Sequence, residues 1–308
     1  MANCLVLGGN GFIGSHLVDA LVASGHSVRA FDRYSNSQIQ FNDNPKVERF
    51  IGDFLNRSDL QNALKGIDYV FHFISTTTPI TSEADPLIDV DTNIRMTIEL
   101  LQECVDNGNI QKVIFASTGG SIYGLNSGGS VSEDVLPLPI SPYAIGKLTI
   151  EHYLRYFEKK HGLNSLIYRI SNPYGERQPL ANKQGVIPIF LHRIAQHEAI
   201  TVLGDGSMVR DYLYVKDAAQ MIAESFATAS EGVYNLGSGH GVSVNELVEV
   251  ITEATGQDVQ VNHEPKPVTF VEQIVLDTSK FEQEFNLKPQ TELKDGVLKT
   301  WEYIKSHD

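Results

Sequence analysis

The chain has 308 residues, of which 42% are hydrophobic, and its formal net charge at pH 7 is −14. This length slightly exceeds the size at which one hydrophobic core stops growing, so we expect two lobes. The negative charge and the lack of a basic run argue against a nucleic-acid partner. No apolar run approaches the ~20 residues of a membrane span, so we expect no membrane-spanning helix. The first predicted strand begins too early for a signal peptide.

The first predicted elements are a buried strand at 3–7 and an apolar helical pattern, joined by a glycine-rich segment. Gly8, Gly11 and Gly14 lie in this segment. Glycines at these positions allow a tight turn and let a pyrophosphate approach the backbone at a helix N-terminus. The segment therefore predicts a dinucleotide site.

An acidic residue ends the second predicted strand, at 28–31. This residue, Asp32, is placed to accept the ribose hydroxyls of NAD. Its charge also repels the 2′-phosphate of NADP, although the adjacent Arg33 weakens that discrimination. We therefore expect NAD to be the preferred cofactor.

Strand and helix patterns alternate through the first half of the chain. Strands are predicted at 3–7, 28–31, 47–51, 69–73, 112–116 and 165–170, and helices near 58–65, 85–107 and 142–160. This alternation predicts an α/β fold with a Rossmann-type doubly wound parallel sheet, whose ligands lie beyond the carboxyl ends of the strands. Polar residues follow these strands where we expect the chemistry, namely Asp53, Ser75, Thr118, Ser121 and Asn172.

A tyrosine and a lysine four residues apart open the helix predicted at 142–160. Residues at this spacing lie one above the other, so the Lys147 ammonium can favour ionisation of the Tyr143 phenol. A phenol titrates near pH ~10, and a base useful near neutrality needs a pKa about three units lower. The spacing recurs at Tyr156, but that residue faces nearly the opposite side of the same helix.

The second half of the chain predicts shorter elements and a second lobe. Strands are expected at 213–215 and 233–236, and helices up to about 197 and at 243–254 and 293–305. We expect an NAD-binding Rossmann domain from 1–172 and about 208–237, and a smaller α/β substrate lobe from about 173–207 and 238–308. Arg210 lies in a loop, where a surface salt bridge with Asp211 and a ligand contact are equally good interpretations.

Several motifs occur in the order in which one family carries them. They are the glycine triplet, Asp53, Ser117 to Gly124, Ser141-Pro142-Tyr143 with Lys147, Asn172 to Gly175, and Gly204 to Tyr212. Together they resemble the extended short-chain dehydrogenase/reductases, in particular the NAD-dependent nucleotide-sugar epimerase/dehydratase group. Within that group the sequence is most similar to the UDP-galactose (UDP-glucose) 4-epimerases, and the resemblance covers essentially the whole chain.

The resemblance implies a role for each matching residue. The residues around NAD would be Gly8, Gly11, Phe12, Ile13, Gly14, Asp32, Arg33, Asp53, Phe54, Phe73, Ser75, Thr77, Asn93, Tyr143 and Lys147, with Asn93 also supporting the Tyr–Lys helix. Asn172 and Arg210 would hold the diphosphate of a sugar nucleotide, and Val186 and Leu203 would border its base.

Two positions depart from the family pattern. Counting back from Tyr123, the position that usually carries a catalytic hydroxyl is Gly119, and the neighbouring Thr118 and Ser121 are the candidates to substitute for it. Ser121 is slightly favoured, because a two-residue step along an extended segment keeps a side chain on the same side. Near the C-terminus the family's arginine is missing, and the nearest cation, Lys266, would hold a phosphate without the forked geometry of arginine.

The resemblance implies an enzyme that inverts C4 of a nucleotide-diphosphate hexose through a 4-keto intermediate, in polysaccharide biosynthesis. The alternative is an NAD(P)H-dependent reductase of a nucleotide-linked 4-keto-6-deoxyhexose. A dehydratase is less favoured, because its Asp-Glu pair is replaced here by Gly120 and Ser121. A non-catalytic NAD-binding regulator is also less favoured, because Tyr143, Lys147 and Arg210 are all present.

Assembly and location are predicted more coarsely. The resemblance implies a homodimer formed through helices near 91–107 and 142–160, and the apolar stripe Ile150, Leu154 and Phe157 fits either such an interface or ordinary core packing. Cys4 and Cys104 indicate buried thiols of a cytoplasmic protein, with no disulfide and no metal site.

Overall fold

The computed structural model describes residues 1–35, 39–124, 129–179, 185–228, 231–265 and 271–307. Its first half contains β1 (Asn3–Leu7), α1 (Phe12–Ala23), β2 (Ser27–Asp32), β3 (Val47–Ile51), α2 (Arg57–Ala63), β4 (Tyr69–His72), α3 (Pro79–Ala84), α4 (Pro86–Asp89), a π-helical turn (Val90–Ile94), α5 (Arg95–Asn107), β5 (Lys112–Thr118), β6 (Ser130–Val131), α6 (Pro142–His161) and β7 (Ser165–Ile170).

The second half contains the remaining strands and helices. They are β8 (Asn172–Tyr174), α7 (Val186–Ala195), β9 (Ile200–Leu203), β10 (Val209–Tyr214), α8 (Val215–Ser225), β11 (Gly232–Leu236), β12 (Gly241–Ser243), α9 (Val244–Thr255), β13 (Val261–Glu264), β14 (Gln273–Leu276), α10 (Ser279–Phe285) and α11 (Leu293–His307).

Seven parallel strands form the large sheet, in the order β11-β7-β5-β4-β1-β2-β3. The chain winds outward from β1 in one direction and returns through β4 in the other, so the strand order reverses between β1 and β4. This arrangement confirms the predicted doubly wound α/β fold. It also places the expected ligand crevice beyond the carboxyl ends of β1 and β4.

Helices cover both faces of this sheet. On one face α1 packs against α8, and Leu17 and Ile222 are fully buried between them and the strands. On the other face α2, α5 and α6 enclose a second core that contains Ile150, Leu154 and Phe157. The apolar stripe of α6 is therefore core packing, and it does not form the dimer face that the sequence left open.

A smaller lobe has its own sheet and core. Its sheet has the order β12-β10-β14-β6, with β8 paired to β10, and α7, α9 and α11 pack around a separate apolar cluster. The predicted boundary near 208 is corrected here, because β10 pairs with β8, β12 and β14 of this lobe. Only α8 and β11, which follow β10, pack with the large sheet.

A buried carboxylate holds β10 in place. Asp211 is fully buried, and its Oδ1 atom accepts hydrogen bonds at 2.8 Å from both the backbone N–H and the hydroxyl of Ser238. Its Oδ2 atom accepts from the Leu276 N–H of β14 at 3.3 Å. The Asp211 carboxylate is therefore used in hydrogen bonds that join β10 to its neighbours, and it makes no salt bridge with Arg210.

Within the described ranges, the helices are all too short or too polar to cross a membrane.

Candidate active site

The turn between β1 and α1 opens the site at the switch point. Gly8 has a φ of +83°, a conformation that glycine adopts readily and other residues rarely do. A Cβ atom on Gly14 would lie 2.0 Å from the Gly8 carbonyl oxygen, so this turn closes tightly only with glycine. The N-terminus of α1 therefore faces a narrow backbone cradle suited to an anion.

A cleft of about 410 Å³ extends from this cradle along the carboxyl edge of the sheet. All residues predicted to surround the cofactor line it, except Asn93: Gly8, Gly11, Phe12, Ile13, Gly14, Asp32, Arg33, Asp53, Phe54, Phe73, Ser75, Thr77, Tyr143 and Lys147. Thr118 and Ser171 also line it.

The acid at the end of β2 is fixed in direction. The Asp32 carboxylate accepts hydrogen bonds from the N–H groups of Asn10 at 3.1 Å and Arg33 at 2.8 Å. It therefore lies beside the glycine turn, while the Arg33 side chain is exposed at the same end of the cleft.

Asn93 is buried behind the cleft and supports residues that line it. Its side-chain oxygen accepts from the Thr76 N–H at 3.0 Å, and its amide donates to Thr77 Oγ1 and to Asp89 Oδ1, both at 2.8 Å. Asn93 therefore supports the loop after β4 from outside the residues that line the cleft, and its place among the cofactor residues stays a prediction.

The Tyr143–Lys147 pair lies in the floor of the cleft. Ser141 caps the N-terminus of α6, and Pro142 occupies its first turn, which sets the direction of the helix. The Lys147 ammonium donates to the Ala116 carbonyl oxygen at 3.0 Å and lies 5.6 Å from the centre of the Tyr143 ring. Loss of solvation lowers the pKa of Lys147 to about 8, against which the charges of Asp89 and Glu151 act.

The protein's own groups do not favour the Tyr143 phenolate. Loss of solvation and, to a smaller extent, the negative charge of Asp89 together raise the pKa of Tyr143 to about 12. The Lys147 ammonium is directed to the Ala116 carbonyl oxygen, while burial and Asp89 keep the pKa of Tyr143 high, and the lowering of this pKa by Lys147 stays a prediction. Ionisation of Tyr143 near neutral pH therefore requires a further positive charge in the cleft.

The other tyrosine of α6 that precedes a lysine by four residues lies outside both the cleft and the pocket described below. Lys160 donates directly to the Tyr156 hydroxyl at 2.8 Å, but Tyr156 is 48% exposed on the outer face of the helix. Close contact between lysine and tyrosine therefore does not by itself mark the site.

The hydroxyl that replaces the one missing at Gly119 is better placed at Thr118 than at Ser121. Thr118 lines the cleft, whereas Ser121 lies behind it with its Oγ atom 3.0 Å from Thr118 Oγ1. A Cβ atom on Gly119 would lie 2.5 Å from the Leu276 side chain and 2.9 Å from the Arg169 carbonyl oxygen. Position 119 therefore faces packed protein, and the slight preference for Ser121 is revised in favour of Thr118.

A second pocket of about 410 Å³ adjoins the cleft, and Pro173 lines both. The predicted substrate residues Asn172, Val186, Leu203 and Arg210 all line this pocket. Apolar side chains dominate one part of it, and the Asn172 amide donates to the Asp211 carbonyl oxygen at 2.9 Å.

Arg210 is held by backbone carbonyl oxygens. Its guanidinium donates to Val209 at 2.8 Å and to Val271 at 2.7 Å. Within the described ranges no carboxylate pairs with Arg210. The positive charge of the Arg210 guanidinium is thus available to pair with an anionic ligand in the pocket. Lys266, the other predicted cation, lies outside the described residues.

Comparison with known proteins assigns the chain to a family. The model of the NAD dependent epimerase/dehydratase family matches residues 4–237. Curated relatives include a UDP-glucose 4-epimerase of Mycolicibacterium smegmatis, 30% identical over 98% of both chains, and a dTDP-4-dehydro-6-deoxyglucose reductase of Escherichia coli, 30% identical over 98% of this chain and 97% of the relative. The UDP-glucose 4-epimerase of Thermotoga maritima, solved with UDP-glucose, superposes with a TM-score of 0.93 at 34% identity over 99% of both chains.

The chain belongs to the NAD-dependent epimerase/dehydratase family. This membership confirms the resemblance drawn from the motifs and the expectation of NAD as the cofactor. It extends over both lobes, because the matched relatives are covered almost end to end.

Sequence reasoning missed three polar groups of this family member's site. The Ser171 hydroxyl lines the cleft and the Tyr212 hydroxyl belongs to a residue of the second pocket, and both are buried with no hydrogen-bond partner among the described residues. Asp89 is buried behind Tyr143. Ser171 directly follows a predicted strand and could have been found by that position, whereas Asp89 gave no signal among 38 acidic residues.

Proposed function

We propose that the protein is an NAD-dependent 4-epimerase of a nucleotide-diphosphate hexose. The observation that carries this proposal is the meeting of two cavities at Pro173: the cleft holds Tyr143, Lys147 and Thr118, and the adjoining pocket holds Arg210. A sugar attached to a diphosphate at Arg210 would reach Tyr143. The names of the M. smegmatis and T. maritima proteins support a UDP-hexose.

The cleft residues fit a dinucleotide. Gly8 and Gly14 leave a backbone cradle that a Cβ atom would fill, Asp32 offers a carboxylate for ribose hydroxyls, and the buried Ser171 hydroxyl has no partner in the part of the chain that the structure describes. When bound, NAD supplies the reversible hydride acceptor that a change of configuration at C4 requires.

Tyr143 acts as the base that takes the proton of the sugar 4-hydroxyl and returns it at the end of the cycle. Lys147 holds a positive charge near the ring and is itself held by the Ala116 carbonyl oxygen. Thr118 Oγ1 would hydrogen-bond the reacting oxygen, with Ser121 Oγ as its second partner at 3.0 Å. Such a hydroxyl gives the proton a short path between the sugar oxygen and Tyr143.

The second pocket binds the part of the substrate that does not react. Arg210 and Asn172 would hold the diphosphate, and Val186 and Leu203 would border the base. Binding energy from this distant part can fix the nucleotide while the 4-keto sugar remains free to turn and present its other face. The product would serve as a sugar donor in polysaccharide biosynthesis.

The assay for this proposal uses purified protein with UDP-glucose, UDP-galactose or their N-acetyl forms and no added cofactor. The two C4 epimers, either UDP-glucose and UDP-galactose or their N-acetyl forms, make up one pair. We expect either member of one such pair, given alone, to be converted to the same equilibrium mixture of both, with no net change in NADH absorbance. The absence of conversion in every pair, with NAD retained by the protein, would contradict the proposal.

The second candidate is a reductase of a nucleotide-linked 4-keto-6-deoxyhexose, favoured by the identity of 30% to the E. coli reductase. Such an enzyme runs only the return of hydride to the 4-keto sugar and exchanges its cofactor in every cycle. It would ignore the UDP-hexoses and oxidise NADH or NADPH stoichiometrically with a 4-keto-6-deoxysugar nucleotide.

We also propose that the protein forms a homodimer in the cytoplasm. Ile145 and Tyr156 are 50% and 48% exposed and lie eleven residues apart, which places them on nearly the same face of α6. The buried, unpaired thiols of Cys4 and Cys104 support a reducing compartment. Light scattering should give a dimer mass for the protein and a monomer mass for Ile145→Glu with Tyr156→Glu, while Leu298→Glu, at an exposed leucine of α11, should remain dimeric.

A further inference from the structure

A buried carboxylate lies directly behind the proposed base. Asp89, the last residue of α4, is 4% exposed. Its Oδ1 atom accepts from Thr77 Oγ1 at 2.5 Å and from the Asn93 amide at 2.8 Å. The π-helical turn that follows α4 places Asn93 on the same side as Asp89, and such turns often occur at functional positions. These two hydrogen bonds fix the direction of the carboxylate.

The second oxygen of this carboxylate points at α6 between Tyr143 and Lys147. A Cβ atom on Gly146 would lie 1.9 Å from Asp89 Oδ2, so the carboxylate occupies space that is free only because residue 146 is glycine. Within the described ranges no protein donor bonds to Oδ2. Asp89, Tyr143, Gly146 and Lys147 line one small cavity of about 10 Å³.

The other carboxylate near Lys147 is already paired. Glu151, one turn further along α6, accepts two hydrogen bonds from Arg169, at 3.1 and 2.7 Å, and a third from the Ser117 hydroxyl at 2.6 Å. Glu151 and Arg169 are both buried, so this ion pair neutralises itself. A buried ammonium requires an opposite charge, and Asp89 is the carboxylate left to provide it.

We propose that Asp89 is a positioning residue of the reaction, whose carboxylate supplies the counter-charge of the Lys147 ammonium through the space left by Gly146. This inference deepens the proposed function, on which it rests, by adding an acid to the Tyr143–Lys147 pair.

The charged and titratable neighbours define the expected effect of removing this charge. Lys147 faces Asp89 from α4, Glu151 and Tyr143 from its own helix, and His72 from β4, while β5 presents the Phe115 ring and the Ala116 carbonyl. Burial lowers the pKa of His72 to about 3, so this imidazole is neutral. A neutral residue at position 89 removes a charge that raises the pKa of Lys147 and that of Tyr143, so both values fall.

The first test needs no substrate or cofactor. The pKa of Lys147 can be followed by NMR of protein labelled at the lysine side-chain carbons, with the Lys147 signal assigned by its loss in Lys147→Met. We expect Asp89→Asn to move this pKa below the value of about 8 in the wild-type protein. Asp91→Asn, which removes an exposed charge from the neighbouring turn, should leave it unchanged.

A second variant keeps the proposal testable if Asp89→Asn does not fold. Gly146→Ala should displace the carboxylate and lower the pKa of Lys147 in the same direction. In the wild-type background, Gly146→Ala should also lower the melting temperature, because its Cβ atom overlaps the Asp89 carboxylate. In an Asp89→Ala background, Gly146→Ala should change neither the pKa of Lys147 nor the melting temperature. An unchanged pKa of Lys147 in folded Asp89→Asn, or in folded Gly146→Ala, would overturn the proposal.

Activity gives a separate readout. In Asp89→Asn both limbs of the pH–rate profile should move to lower pH, because the base and the lysine both lose a negative neighbour. If Asp89 had only a structural role, Asp89→Asn would lower the maximal rate of the pH–rate profile and leave the pH of both limbs unchanged. That result would count against the inference. If the protein proves to have no epimerase activity while the pKa of Lys147 still falls in Asp89→Asn, the proposed function fails and the charge pairing stands.

Discussion

The Lys147 ammonium lies 5.6 Å from the centre of the Tyr143 ring and donates to the Ala116 carbonyl oxygen at the end of β5, at 3.0 Å. The lysine therefore fixes α6 to the sheet as well as placing a positive charge beneath the cleft. Because the ammonium is buried, its protonation is sensitive to each nearby charge.

The first prediction concerns the base. Tyr143→Phe should lower turnover at least ~10²-fold, because the general base is lost, while binding of the sugar nucleotide remains nearly intact. Tyr156→Phe is the matched control, since Tyr156 has the same spacing to a lysine and a direct 2.8 Å bond from Lys160, yet lines neither the cleft nor the pocket. Steady-state turnover and nucleotide binding should be measured for both variants. Equal losses of turnover would place the base elsewhere.

The second prediction concerns stability and pH. The pKa of Lys147 is lowered from 10.5 to about 8 by burial, so between these pH values the unfolded chain binds a proton that the folded chain lacks. The free energy of unfolding of the wild-type protein should therefore rise with pH in this window relative to Lys147→Met, by at most about 3.5 kcal/mol at ~1.4 kcal/mol per pKa unit. Urea unfolding of both proteins from neutral to alkaline pH measures this difference, and a constant difference would contradict it.

Much of the large sheet follows from local sequence. The strands predicted at 3–7, 47–51 and 165–170 match β1, β3 and β7. β1 and β7 are buried parallel strands, which form short apolar runs, whereas β3 is the more exposed edge strand. The helix α8 was missed, since it begins directly after β10 with no turn residue between them. The place of β10 in the smaller sheet was also missed, because its partners β8, β12 and β14 are distant in sequence.

The site was predictable where its residues lie close together in sequence at a characteristic spacing, as in the glycine turn and the Tyr143–Lys147 pair. It was not predictable where function depends on contacts between distant segments. Gly119 was taken as a position where a hydroxyl was missing, but a side chain there would require Leu276 or the Arg169 carbonyl to shift. Asp89 acquires its position through Asn93 and Gly146, and neither contact is visible in the spacing of the sequence.

The third prediction concerns cofactor choice. Asp32→Ala should weaken binding of NAD and relax discrimination against NADP, because it removes the carboxylate that lies beside the glycine turn and leaves the exposed Arg33 at that end of the cleft. Adding Arg33→Ala to Asp32→Ala should reduce the gain in NADP binding. Dissociation constants for both cofactors test this, and a wild-type protein that prefers NADP would refute the role of Asp32.

The fourth prediction concerns the nucleotide anchor. Arg210→Lys should raise the KM for the sugar nucleotide roughly 10- to 100-fold, as expected for loss of charged hydrogen bonds worth about 1.5–3 kcal/mol, and should leave NAD retention unchanged. The matched control is Arg193→Lys, at an arginine of the same lobe that donates to the Ala199 carbonyl oxygen and lines neither cavity. A comparable rise in KM in both variants would show a general effect on the lobe and none specific to the pocket.

The last prediction decides which hydroxyl assists the base. Thr118→Ala should lower turnover by up to ~10²-fold, because Thr118 lines the cleft, and Ser121→Ala should lower it less, because Ser121 reaches the cleft only through its 3.0 Å bond to Thr118. Gly119→Ser should not restore turnover to either variant. Its Cβ atom would overlap Leu276 and the Arg169 carbonyl oxygen, so it should instead destabilise the protein by ~1–3 kcal/mol, seen as a lower melting temperature. A larger loss of turnover in Ser121→Ala than in Thr118→Ala, or a rescue of either by Gly119→Ser, would return the role to Ser121 and show that the segment after β5 adopts a different arrangement during turnover.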